Sequence, residues 1–480
     1  MKTTLKWLRT ALAVLLLLVL MAGCATSGGP SPTTAASFGA AGQQGLLSLF
    51  LNLKESNGPP LTMTISSIEV LSGNGVWLSI DAVPLKIKAG EIKGGQRFLA
   101  RAVLPPGSYS RLRFTLAAAF ISKRAGKRLD LALDEPQVVM ALHQPLDVRA
   151  GDSKSLFLTW DTRASLRNKV FRPVILVAPQ VKHMIADVAY VACPDINTVF
   201  MFRTDLNRVC DSMGIKDGPT YLFKDPRRQS DTVYALTGRR AEIKIISPAA
   251  NKVVEQYGLP MSSEASFMAL SPDGRWGYIV DQRQGDVVRM DMGTGRVAGR
   301  VRPGYQPSYI IYLKKYNLLA VTLSLSQTVV LLDAGTLSRT AAISTGPGPG
   351  GLLNPGGGKW LYIAESGSNS VLLYDLEKNE IVKRIMVGFS PRRIIAGNYY
   401  IYVTNYDSSS ISVLRPGQLG PSWTIPLSGR PLEIAEAPNN KWIYVGNEQG
   451  NCITVVDPGN SKVVGKIELG ARPMGIVVLR

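Results

Sequence analysis

An all-β fold is predicted by three observations: a large supply of turn residues, short apolar runs that alternate with polar residues, and a repeat of 40 to 44 residues. The chain of 480 residues carries 46 glycines and 30 prolines, too many helix breakers for a helical bundle, and its 45% hydrophobic content argues against disorder. Its 54 Lys and Arg against 35 Asp and Glu leave a formal charge of +19, which attracts polyanions or acidic lipid surfaces without naming a site. Two histidines and four cysteines exclude a Cys/His-dense metal scaffold, and no Cys-x-x-Cys-His stretch offers a haem attachment. Neither a metal nor a cofactor is expected.

Residues 1–23 are expected to be a signal peptide. Lys2, Lys6 and Arg9 precede an apolar run from Ala11 to Gly23, too short to span a bilayer of about 30 Å. The run ends Leu20-Met21-Ala22-Gly23-Cys24, which resembles the bacterial lipobox with Met21 where Leu is usual. The resemblance implies lipidation of Cys24 and a membrane partner through that lipid, at about 0.8 kcal/mol per buried methylene. Ala25, rather than Asp, follows, and the sorting rule it resembles implies the outer membrane or the cell envelope, periplasmic or surface-exposed. Residues 24–45, largely uncharged Ser, Thr, Ala, Gly and Pro, read as a flexible tether.

Residues 46–178 are expected to form a β-sandwich. Leu61-Thr-Met-Thr-Ile-Ser, Val76-Trp-Leu-Ser-Ile, Leu112-Arg-Phe-Thr-Leu and Leu156-Phe-Leu-Thr-Trp alternate with period two, and Pro105-Pro106-Gly107 and Gly151-Asp152 supply turns. The runs starting at Leu104, Ala150 and Phe171 resemble an uncharacterised lipoprotein-associated sandwich domain. Residues 179–189 read as a linker.

Residues 190–480 repeat. Strands open at Tyr190, Tyr234, Tyr278, Ala320, Tyr362, Tyr402 and Tyr444. Twenty-nine residues after each stand Pro219, Ser263, Pro307, Pro349, Pro391, Pro431 and Pro473. Thirteen residues after each, Asp291, Asp333, Asp375 and Asp457 form a third column, with Arg203, Ser247 and Arg415 departing from it. This period with several short strands per unit indicates four-stranded propeller blades. Tyr402-Val403-Thr404-Asn405 carries the name motif of the YVTN-type β-propellers, which this region resembles. The starts predict seven blades, and the final run Pro473 to Arg480 is expected to close the ring beside the strand at Tyr190, hiding a sheet edge.

The tyrosine and proline columns are read as architecture, and the Asp column as turn-capping rather than calcium binding. Gly346 to Gly351 and Asn354 to Lys359 lack the spacing of a phosphate loop. His143 and His183 are far apart in sequence, so no catalytic residue is nominated. Cys193 and Cys210 fall on strands separated by another strand, and whether they form a disulfide is left open. Inner strands line the central channel, so residues just past the proline column are the candidate ligand site: Tyr221, Glu264, Tyr309, Arg392, Arg393 and Glu433. Charge-assisted hydrogen bonds there suit an anionic ligand.

The expected function is a non-catalytic binding or scaffold module, anchored in the envelope, whose partner is an envelope protein, a polysaccharide or an anionic ligand. One alternative is a propeller enzyme, a lactone hydrolase or an oxidoreductase. Another is a polyanion or nucleic-acid binder, because some YVTN-like propellers are reported to bind nucleic acid. The basic residues are spread along the chain without interleaved aromatics, which disfavours nucleic acid.

Overall fold

The computed structural model describes residues 43–479, apart from 56–57, 82–83, 93–94, 123–126, 179–186, 228–229, 261, 263, 417, 419 and 439–440. The leader, Cys24, His183 and most of the linker lie outside the described residues. The described chain is all β and, from Gln43 onward, one compact unit.

The repeat becomes a series of antiparallel four-stranded sheets. The strands Pro391–Ala396, Ile401–Asn405, Ser410–Leu414 and Trp423–Pro426 are representative: they pair in chain order, as do the four strands of each neighbouring unit. One sheet differs. Val188–Cys193, Thr198–Arg203 and Arg208–Gly214 receive their fourth strand from the chain end, where Ile476–Val478 pairs antiparallel with Ala189 to Val191. Ala192 and Gly475 extend that ladder with a backbone hydrogen bond of 2.9 Å. The inner strands also touch in a closed cycle, from Pro219–Lys224 round to Pro431–Glu436, then Ile476–Val478 and back to Pro219–Lys224.

The tyrosine and aspartate columns are structural. The column tyrosines are buried, and two of their hydroxyls reach the next sheet: Tyr278 donates to the Ala334 carbonyl at 3.0 Å and Tyr444 to Asn207 at 2.8 Å, whereas Tyr234 donates to Asp225 of its own sheet at 3.3 Å. Asp291, Asp333, Asp375 and Asp457 each accept backbone N–H groups from the following turn at 2.7–3.1 Å, which satisfies donors that no strand partner reaches. Against the opposing effect of desolvation, these hydrogen bonds hold the carboxyl groups of Asp291, Asp333 and Asp375 below the ordinary range, and the Asn460 side-chain amide does most to lower that of Asp457.

The N-terminal strands form two sheets over one core. The first runs Val174–Ala178, Ser153–Asp161, Gly45–Leu53, Gln96–Leu104; the second centres on Leu61–Ser72 and Gly107–Ser122. Along Gly45–Leu53 the side chains alternate. Leu47, Leu49 and Leu51 enter the core between these sheets, whereas Phe50 joins Phe157, Phe200 and Tyr444 in a second core against the first and last propeller sheets. The first sheet also continues into the last propeller sheet, Gln96 pairing in parallel with Ile467. Gln96 is buried and exchanges two hydrogen bonds with the Val209 backbone, at 3.0 and 3.1 Å. Arg101 places its guanidinium in the same seam, donating to the carbonyls of Leu469 at 2.7 Å and Gly470 at 2.9 Å and lying over the rings of Phe98 and Phe200. Burial pushes its pKa down to about 10.

Candidate functional site

Two positions past each opening proline stand Tyr221, Tyr309, Gly351, Arg393 and Glu433 on the inner strands and Gly475 just before the last one. The remaining strand, Ala265–Leu270, starts later. Ala265 faces Asp281 as Pro219 faces Thr237, so Phe267 takes the equivalent place and Glu264 falls before the strand. Sequence reasoning missed Phe267 because Ser263 stands in the proline column with two extra residues after it; the apolar match of Ser266-Phe267-Met268 to Thr220-Tyr221-Leu222 is the signal that locates it.

Arg393 is the hub of this layer. Its Nε donates to Glu433 at 3.0 Å and Nη2 to the Tyr221 hydroxyl at 2.6 Å, and the guanidinium lies 4.8 Å from the Tyr309 ring centre and 5.4 Å from that of Phe267. Phe267 and Tyr309 stack at 3.9 Å, and Tyr221 meets Phe267 edge-on at 5.0 Å. Gly351 and Gly475 give the layer its room: a Cβ on Gly475 would lie 2.6 Å from backbone atoms of Tyr221 and Leu222, and one on Gly351 2.4 Å from the Arg392 carbonyl. Burial raises the pKa of Glu433 and of both tyrosines. Burial also opposes the charge on Arg393, yet Tyr221, Glu433 and Tyr309 together hold its pKa above the usual guanidinium value. Side chains from five inner strands thus meet at one cation, and Arg393 and Glu433 are only 14% and 13% exposed.

The other two nominated residues lie elsewhere. Alternation along Pro391–Ala396 turns Arg392 away from its neighbour, and it is exposed over the ring of Tyr406 at 3.9 Å. Arg430 approaches the same ring at 5.1 Å, the Tyr406 hydroxyl donates to Glu448, and Phe389 stands 63% exposed nearby in sequence. These residues precede or open inner strands, or follow the second strand of a sheet, so they belong to one loop face. Glu264 lines a separate cavity of about 400 Å³. At the far end of the inner strands, Lys224, Glu436 and Val478 border a cavity of about 940 Å³ where burial raises the Glu436 carboxyl.

Cys193 and Cys452 are buried and Cys210 half-buried, all three as free thiols, with burial pushing Cys193 and Cys210 up to about 12. Among the described residues, no group of three or more His, Cys, Asp or Glu is placed to hold a metal ion.

Residues 201–480 match the model of the YNCE-like beta-propeller. Among solved structures, a functionally unknown protein from Desulfotomaculum acetoxidans is 16% identical with a TM-score of 0.55, over 62% of this chain and 99% of that one. Dihydro-heme d1 dehydrogenase NirN in complex with DHE is 14% identical with a TM-score of 0.47, over 61% of this chain and 66% of that one. Hydrazine synthase of Kuenenia stuttgartiensis is 17% identical with a TM-score of 0.45, over 55% and 96%. At these identities the likeness concerns the fold alone. A search of curated proteins returned no match.

Proposed function

Because the chain belongs to the YNCE-like β-propeller family, we propose that it is a lipid-anchored, non-catalytic binding module of the bacterial envelope, a seven-bladed ring whose loop face takes an anionic ligand. Propellers host many activities, so the ligand is set by the side chains of the loop face. The observation that carries the reading is the pair of guanidinium groups at the Tyr406 ring, Arg392 at 3.9 Å and Arg430 at 5.1 Å from its centre. Both guanidinium groups are exposed, Arg430 standing 3.9 Å from the Asp407 carboxylate, and each retains donors for a carboxylate, phosphate or sulfate. Tyr221, Arg393 and Glu433, whose polar groups satisfy one another, serve in this reading with the ring of Tyr309 as the floor that fixes the loop face. The lipobox-like Leu20 to Cys24 supports the anchor, and the period-two runs of 46–178 support a sandwich beside the ring.

The test uses the mature lipoprotein in detergent with heparin as the sulfated probe. Arg392→Ala with Arg430→Ala is expected to weaken binding about tenfold or more, that is about 1.4 kcal/mol. Equal affinity in the double variant and the parent would refute the assignment. Cys24→Ala should move the protein from the membrane to the soluble fraction.

A further inference from the structure

The cavity that contains Glu264 is chemically unlike the arginine–tyrosine clasp. Its wall is made of Gln282, Arg283 and Gln284 from one loop, Tyr305 and Gln306 from the next, and Glu264 itself. Its volume of about 400 Å³ falls in the lower part of the range of ligand pockets, about 300–1,000 Å³. Such pockets are usually apolar with a few polar groups, whereas three amides, a carboxylate and guanidinium groups dominate here. Each amide offers donors and an acceptor side by side, the pattern that two adjacent hydroxyl groups satisfy. Tyr305 adds one flat apolar surface and is 70% exposed, an aromatic ring left facing water at the lip of a polar cavity.

The charge of the site is nearly balanced. Arg302, also in the wall, is held at 3.3 Å by Asp286, which is 7% exposed and binds Arg300 at 3.0 Å as well. Because Asp286 serves two arginines, one positive charge remains beyond the pair of Arg283 and Glu264. The three amides and the ring outnumber that single charge, and a ligand dense in hydroxyls with one C–H face matches both. We propose that this cavity binds a neutral sugar ring, the end or a unit of a saccharide, with Tyr305 stacking on its C–H face and Gln282, Gln284 and Gln306 meeting its hydroxyls. This goes beyond the anionic site at Arg392 and Arg430 and stands independently of it.

The experiment is calorimetric titration of the full mature chain with cellobiose, maltose, lactose and chitobiose, and with phosphate and citrate as separate arms. At least one disaccharide is expected to bind in the millimolar range or tighter. Tyr305→Ala should weaken it about tenfold or more, Tyr305→Trp should hold it within about threefold, and Gln284→Ala should weaken it. Unchanged thermal unfolding of the Tyr305 variants establishes that they fold, as the exposure of this side chain leads one to expect. The Arg392→Ala, Arg430→Ala double variant should bind the sugar normally, so the two sites fail or succeed separately. Three outcomes would overturn the proposal: no disaccharide binding tighter than about 10 mM, heat from phosphate or citrate alone, or sugar binding indifferent to Tyr305→Ala.

Discussion

Replacing Arg101 by alanine probes whether the N-terminal sheet is welded to the ring or merely rests against it. The guanidinium donates to the carbonyls of Leu469 and Gly470 at 2.7 and 2.9 Å and to the Ser48 hydroxyl at 3.1 Å, pairs with no carboxylate among the described residues, and lies 4.9 Å from the Phe98 ring. A net hydrogen bond from a charged donor contributes about 1.5–3 kcal/mol, and a desolvated cation–ring contact about 2 kcal/mol. Opposing them is the burial that lowers the pKa to about 10, on the order of 3 kcal/mol. The balance predicts a loss of about 3 kcal/mol for Arg101→Ala, read as a urea midpoint lower by roughly 1 M. Arg101→Lys keeps the charge without the planar fork and should lose about half as much. Circular dichroism and intrinsic tryptophan fluorescence, followed in the same titration, report both sheets; they should move together in the parent and separate in Arg101→Ala. A midpoint within experimental error of the parent, with a single coincident transition in both proteins, would refute the reasoning.

Two further outcomes follow from the axis and the seam. Arg393→Ala removes the cation beside Glu433, whose pKa burial already raises. A carboxyl whose folded pKa exceeds its unfolded value binds more protons when folded, so its contribution to stability falls as pH rises through that interval. Arg393→Ala should therefore lie closest to the parent near pH of about 4 and lose about 3–5 kcal/mol by neutral pH; urea melts across that range check it, and a deficit independent of pH would count against the buried pair. Ending the chain at Pro473 removes the strand beside Val188–Cys193 and bares its edge; the product is expected to be insoluble, and a soluble monomer with the parent's melting temperature would show that the edge matters little.

The propeller class was readable from three columns in register because each column has its own physical cause: a tyrosine wedged between sheets, an aspartate closing a turn, a proline opening a strand that needs no donor there. The site was harder. Arg392 and Arg393 are adjacent, and only the pairing register decides which of two opposite faces each one takes. The column spacing points to Glu264 where Phe267 stands, because it slips by two residues at Ser263. The coupling of the two regions did leave a trace: Gly45–Leu53 is apolar on both faces, the pattern of a strand covered on each side, though the run alone does not say by what.

The parallel bridge between Gln96 and Ile467, with the salt bridge of Arg97 to Glu468 beside it, joins positions 371 residues apart. A chain made from its N-terminus must keep Phe50, Phe98 and Phe157 waiting, with one face of their sheet uncovered, until nearly the last residues arrive. Such distant pairing slows folding and lengthens the interval in which apolar surface is bare. Chaperone capture during biogenesis is therefore expected to fall on the earliest strands rather than on the repeat, whose sheets can assemble from neighbours.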